Sequence, residues 1–326
     1  MKKAVLLLMV LIAMSAAAEA IILSQVHLDP ARLAAILFSL ALILCGFVGL
    51  TQSSVTRYLR QRAAESVWAA AGLPFLLLIP YLVYAVGTDS FTYRGAGKLL
   101  AYIAVPTWLL LPDRLHRPER LGWRDVVAML ALALPVAANW LTGIWTWPNE
   151  LYFFRPLFCV CLGIYTFTAI RNLEGVGYRL LWKKQDVLDG LANFLGFSLL
   201  GIPLGMALRF IHPHSASASL WPQLPLQFFV IYLLIAIPEE LLFRGILQNL
   251  LCRSIKRGPA DVYGLIIASV IFGASHLHHP PVPNWRYAML ATLAGLFYGN
   301  AYRIRQRLSA SALTHALVDT VWHFWF

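Results

Sequence analysis

Residues 228–251 read FFVIYLLIAIPEELLFRGILQNLL, a run long and apolar enough to cross a bilayer as one helix. The same run contains Glu239, Glu240 and Arg244. A charged side chain at the centre of a bilayer costs roughly 3 kcal/mol on insertion scales. The sequence therefore predicts a membrane helix whose three ionisable side chains face a polar interior rather than lipid.

The whole chain has the composition of a membrane protein. Its 326 residues are 60% hydrophobic and 13% charged, and the mean hydropathy is +0.68. Continuous apolar runs, rather than alternating ones, favour helices over a β-barrel. We predict an all-α, polytopic transmembrane helix bundle with about eleven spans. The predicted spans are 4–24, 33–51, 67–86, 98–111, 125–142, 154–170, 189–209, 226–252, 262–277, 287–302 and 308–325.

The net charge of +11 is explained by membrane topology. With the N-terminus in the cytoplasm, most of the 26 Lys and Arg residues fall in cytoplasmic connections, as the positive-inside rule requires. Nucleic-acid binding is therefore not expected. The basic and then apolar N-terminus favours the inner membrane of a bacterium, and it also resembles a signal peptide ending at Ala18-Glu19-Ala20.

The polar residues inside the spans divide the chain into two parts. Spans before about residue 185 are nearly free of ionisable groups, and the polar segment 171–188 follows them. We therefore predict an accessory membrane domain of about six helices at 1–185. A functional core of five helices is predicted at 186–326.

Helical spacing separates the two adjacent glutamates. Arg244 lies four residues after Glu240, which is the favourable arrangement for an ion pair on one helix face. Glu239 points about 100° away and has no such partner in its helix. A buried, unpaired carboxylate can exchange a proton, as a general base must. Pro238 precedes it, and we expect a kink that frees the carbonyl of Leu234.

Two later spans contribute histidines. His276 follows Phe272 by four residues, and His315 precedes Asp319 by four residues, so that Asp319 can orient the imidazole. Each feature alone also fits a structural role, as an interfacial histidine or a bridge between helices. Glu239, His276 and His315 could form a His₂Glu zinc site, although no H-E-x-x-H motif is present. A metal-free Glu–His arrangement fits the spacing equally well.

The three motifs in this order resemble the CAAX-protease and bacteriocin-processing family, also called Abi, of intramembrane proteases. The matching residues are Glu239-Glu240-LLF-Arg244, Phe272-GAS-His276 and His315-ALV-Asp319, within residues 185–326. The resemblance implies a hydrolase, described in this family as a metalloprotease, that acts on a protein or peptide at the lipid bilayer.

The resemblance also implies roles for single residues. Glu239 would activate water with help from His276, while His315 and Asp319 would stabilise the oxyanion. Many members carry Asn where this chain has Asp319, and an ionised Asp cannot donate a hydrogen bond. Asp319 must then be protonated, orient His315 or bind a metal.

Two other functions use the same residues. The acids could serve an ion- or proton-coupled transporter, although the scarcity of charge in the first six spans argues against a long relay. The core could also be a non-catalytic immunity or scaffold protein.

Overall fold

A computed structural model describes residues 29–214 and 218–326, and the regular secondary structure in these ranges is entirely helical. The predicted all-α class is confirmed for this part of the chain. The predicted span at 4–24, with its resemblance to a signal peptide, lies outside the described residues.

Contacts divide the chain into two compact units. Among the described residues, one unit comprises 29–117 together with Gly122–Leu173, and the other comprises Pro118–Leu121, 174–214 and 218–326. The functional division at 185/186 stays a prediction. The helices of the first unit are α1 Pro30–Gly49, α2 Ser53–Glu65, α3 Val67–Gly87, α4 Tyr93–Leu110, α5 Trp123–Ala137 and α6 Phe154–Ile170.

The second unit carries all the candidate site residues. Its helices are α7 Lys184–Ala207, α8 Trp221–Ser254, α9 Ala260–Ala274, α10 Trp285–Arg305 and α11 Leu308–Trp325. Helix α10 packs against α9, α7 and α11, while α11 also packs against α7 and the middle of α8. This arrangement brings α8, α9 and α11 around one interior.

Several helices fit an integral, multi-pass membrane protein. By length and hydropathy, α1, α3, α7, α8 and the segment Tyr93–Asp113 can each cross a bilayer. Helices α6 and α9 are apolar but shorter. Helices α10 and α11 are long enough but less apolar, and in α11 the polar residues include His315 and Asp319.

Helix α2 is a polar element that the span prediction did not include. It has the sequence SSVTRYLRQRAAE and connects two apolar helices. A hydropathy scan detects only long apolar runs, so it does not detect a short polar helix that connects two of them.

Helix α8 continues through Pro238. Wide turns, meaning π-helical turns in which each backbone hydrogen bond spans five residues instead of four, occupy Tyr232–Ala236 and Leu241–Gln248. The regular α-helical segment Ile237–Glu240 lies between them. Wide turns are one way for a helix to accommodate a missing backbone N–H, and they occur often at functional sites. The sequence predicted a kink of the helix at Pro238. In the structure the departure from regular α-helix extends over the turns on both sides of the proline.

Candidate active site

Glu240 is the centre of a buried polar cluster. Its side chain is inaccessible to solvent, and its Oε2 lies 3.1 Å from Nε of Arg244, which is also fully buried. The predicted i,i+4 ion pair is therefore formed. Oε1 lies 2.9 Å from Nδ1 of His315, and the hydroxyl of Ser311 donates a hydrogen bond to the same carboxylate. Together, Arg244 on α8 and the two polar side chains on α11 supply the charge and hydrogen-bond partners of the Glu240 carboxylate.

Both ring nitrogens of His315 face carboxylates. Nδ1 contacts Glu240, while Nε2 lies 3.3 Å from Oδ2 of Asp319 and 3.9 Å from Oε2 of Glu239. Because an ionised carboxylate oxygen only accepts, the two shorter contacts, to Glu240 and to Asp319, each need a proton between nitrogen and oxygen. The geometry fixes the orientation of the imidazole from both sides, and Asp319 is one of the two groups that hold it.

Glu239 has a different environment from its neighbour. Its side chain is 37% exposed, whereas that of Glu240 is 0% exposed. Glu239 lines a cavity of about 360 Å³ that is also lined by His276, His315 and Asp319. The adjacent glutamates therefore face two different surroundings, as their helical spacing predicts.

His276 lies two residues beyond the end of α9. Its Nδ1 is 2.8 Å from the carbonyl oxygen of Phe272, and its ring packs edge-on against the Phe272 ring at 4.8 Å. A carbonyl oxygen only accepts, so Nδ1 carries the proton. In the neutral ring Nε2 then holds a lone pair. His276 lines the same cavity as His315 and Asp319.

Phe272 connects the candidate residues by packing. The guanidinium of Arg244 lies over its ring at 4.9 Å, and the ring of His315 meets it edge-on at 6.0 Å. Phe272 is 2% exposed. The aromatic residue of the F-x-x-x-H motif therefore contacts Arg244, His276 and His315.

The side chains do not fit a three-ligand metal site as they are arranged. Among the described residues, no group of three His, Cys, Asp or Glu side chains is placed to hold a metal ion. Nδ1 of His315 is bonded to Glu240, and its Nε2 faces Asp319. The zinc site at Glu239, His276 and His315 stays a prediction from the sequence.

Three residues at the site were not predicted. Ser311 contacts Glu240, Tyr298 stacks flat on His315 at 4.5 Å with 15° between the rings, and Tyr287 packs against His276 at 4.6 Å. Ser311 could have been found, because it precedes His315 by four residues on α11. The two tyrosines follow no local spacing rule and meet the histidines only through helix packing.

Comparison with known families places the candidate residues in one domain. Residues 221–321 match the model of the family described as "Type II CAAX prenyl endopeptidase Rce1-like". This segment runs from α8 into α11 and contains all six candidate residues, so the resemblance drawn from their spacing is confirmed there. Neither a comparison with curated proteins nor one with solved structures gave a match.

Proposed function

We propose, from the premise that residues 221–321 form an Rce1-like CAAX endopeptidase domain, that the protein cleaves a membrane-associated protein or peptide with Glu239 as the general base. The observation that supports this role is the contrast between the two glutamates. Glu240 is fully buried beside Arg244, while Glu239 is partly exposed to the cavity and has Nε2 of His315 3.9 Å away.

The cleavage proceeds by direct attack of water. Glu239 accepts a proton from a water molecule while the water oxygen forms a bond to the carbonyl carbon of the substrate. The electron pair of the C=O bond moves to the oxygen. When the C–N bond then breaks, the proton held by Glu239 passes to the leaving amine. Nε2 of His276, with its lone pair, accepts a hydrogen bond from the same water and orients it.

The apolar helices and the distribution of basic residues along the chain support a position in the membrane. We infer that the N-terminus lies in the cytoplasm and that the chain crosses the membrane about eleven times. The less apolar helices α10 and α11 are packed against α7, α8 and α9. The distribution of Lys and Arg supports this orientation, and the inner membrane of a bacterium is the proposed location.

No step of this mechanism uses a metal ion. We expect cleavage to continue after dialysis against EDTA, because a carboxylate and an imidazole supply the proton transfer and the orientation of water. A soluble zinc protease dialysed in parallel serves as the control and should lose activity. Loss of cleavage that only a divalent ion restores would contradict the metal-free mechanism.

The cavity walls favour an apolar group beside the cleaved bond. Phe194, Phe197, Ile202, Leu290 and Trp322 are among the lining residues. Such walls, with a few polar groups at one place, are typical of a site that binds an apolar group and positions one reactive bond. We propose that the apolar part of the substrate lies against α7 and α10.

A matched pair of variants on α7 tests this placement. Ser198 lines the cavity, whereas the next residue, Leu199, is 77% exposed. We expect Ser198→Phe to raise KM about tenfold, or about 1.4 kcal/mol, by filling space that the substrate uses. Leu199→Phe should leave KM unchanged. Equal effects of the two substitutions would show that the substrate does not lie there.

The function is tested with purified protein in proteoliposomes. The probe is an internally quenched peptide whose cysteine carries a prenyl group, a choice taken from the description of the matching family. Proteolysis predicts a time-dependent fluorescence increase and two peptide products in the mass spectrum. An intact probe, with or without an ion flux in the same vesicles, would refute the proposed function.

A further inference from the structure

Hydrolysis at this site needs a hydrogen-bond donor that the six candidate residues do not supply. This requirement rests on the proposed function. Attack of water on a carbonyl creates a negatively charged oxygen, and a preorganised N–H or O–H donor at that position accelerates the reaction. The donor must line the cavity and must have its proton free for the substrate.

The candidate residues that line the cavity are already occupied or lack the proton, and Glu240 and Arg244 are not among its lining residues. Ionised Glu239 and Asp319 only accept. Both ring nitrogens of His315 face the carboxylates of Glu240 and Asp319. Nδ1 of His276 bonds to the carbonyl of Phe272, which leaves a lone pair on Nε2. Position 319 would supply a donor if it were asparagine, whose amide carries N–H groups, but an ionised aspartate has none.

Tyr287 is the phenol placed beside the proposed water position. It lies in the first turn of α10, where the side chain of Asn284 accepts a hydrogen bond from its backbone N–H at 3.0 Å. Its ring is held between His276 at 4.6 Å and Trp322 at 5.4 Å. It lines the same cavity as Glu239 and Asp319.

Tyr298, the second phenol of the cavity, is less suited to the role. Its ring lies flat on His315, and the residue is 2% exposed. A substrate carbonyl cannot reach a side chain that is covered in this way, whereas Tyr287 is only partly buried. Stacking gives Tyr298 a positioning role toward the imidazole.

We propose that the hydroxyl of Tyr287 donates a hydrogen bond to the oxyanion and is a catalytic residue of this protein. The phenol keeps its proton throughout, so the proton balance of the reaction is unchanged. In this chain Tyr287 supplies the donor that Asp319 cannot, while Asp319 orients His315.

The first test separates transition-state stabilisation from binding. With the prenylated quenched peptide, Tyr287→Phe should lower kcat by about a hundredfold to a thousandfold and change KM by less than about twofold. Tyr263→Phe, an exposed tyrosine on α9, is the control and should behave as wild type. The melting temperature of each variant is recorded to detect misfolding.

The second test uses rescue. Asp319→Asn in the Tyr287→Phe background adds an amide donor beside the same carbonyl, so the double variant should be at least about tenfold faster than Tyr287→Phe alone. A purely structural role for Tyr287 would give a lower melting temperature and no rescue, and would overturn the proposal.

A third variant separates failure of this inference from failure of the proposed function. If Tyr287→Phe keeps a kcat within about twofold of wild type while Glu239→Gln is inactive, Tyr287 is not the donor, but Glu239 remains the base. If Glu239→Gln also cleaves at the wild-type rate, the proposed function itself is wrong and the inference fails with it.

Discussion

Glu239→Gln is expected to lower kcat for the prenylated quenched peptide by about a thousandfold, within the range for losing a general base. Glutamine keeps the size and polarity of the side chain but cannot take the proton from water. The effect should appear in kcat rather than in KM, because Glu239 acts on the water and not on the apolar part of the substrate.

The control for this substitution is Asp261→Asn on α9. Asp261 is an exposed carboxylate that pairs with Arg303 at 2.6 Å, so its neutralisation changes charge by the same amount outside the cavity. We expect wild-type kcat and KM. A Glu239→Gln protein that cleaves within about twofold of wild type would remove Glu239 from the mechanism.

Arg244→Leu is expected to lower the free energy of unfolding by about 3 to 5 kcal/mol. The substitution leaves the fully buried carboxylate of Glu240 without its cationic partner, and an unpaired buried charge is strongly destabilising. The guanidinium also packs over the ring of Phe272 at 4.9 Å. The measurement is unfolding in detergent micelles, followed by circular dichroism.

Two further variants identify the cause of that loss. In the double variant Glu240→Gln with Arg244→Leu the buried charge is gone, so most of the lost stability should return. Arg303→Leu breaks a surface ion pair and should cost less than about 1 kcal/mol. If the double variant is no more stable than Arg244→Leu, the ion pair is not what makes Arg244 necessary.

Local helical spacing predicted the short-range geometry of the site. Glu240 with Arg244, and His315 with Asp319, are each four residues apart and each in contact in the structure. These contacts follow from the helical repeat and need no knowledge of the tertiary fold. The same repeat predicted that Glu239 and Glu240 point in different directions. In the structure Glu239 faces the cavity, whereas Glu240 is buried.

Contacts between distant helices could not be predicted in this way. His315 meets Glu240 across 75 positions of sequence, and the stacking of Tyr298 on His315 depends on how α10 and α11 pack. The wide turns around Pro238 could not be predicted either. Helix propensity indicates an interruption at proline, but the form of the interruption depends on how the neighbouring helices pack.

Hydropathy gave a partial account of the spans. By length and hydropathy, α1, α3, α7, α8 and the segment Tyr93–Asp113 are able to cross a membrane. Helix α11 lies where the span 308–325 was predicted, but it carries His315 and Asp319 and is less apolar than these helices. The candidate site residues thus lower the hydropathy of the helix that carries them. The polar helix α2 was missed for the related reason that it is not a span.

The most direct test of the central claim is the mass spectrum of the prenylated peptide after incubation in water enriched in oxygen-18. The account predicts two products with wild-type protein, the new carboxylate carrying one oxygen-18 atom, and an intact peptide with Glu239→Gln. Equal conversion by the two proteins, or an intact peptide with both, would contradict hydrolysis by water that Glu239 activates.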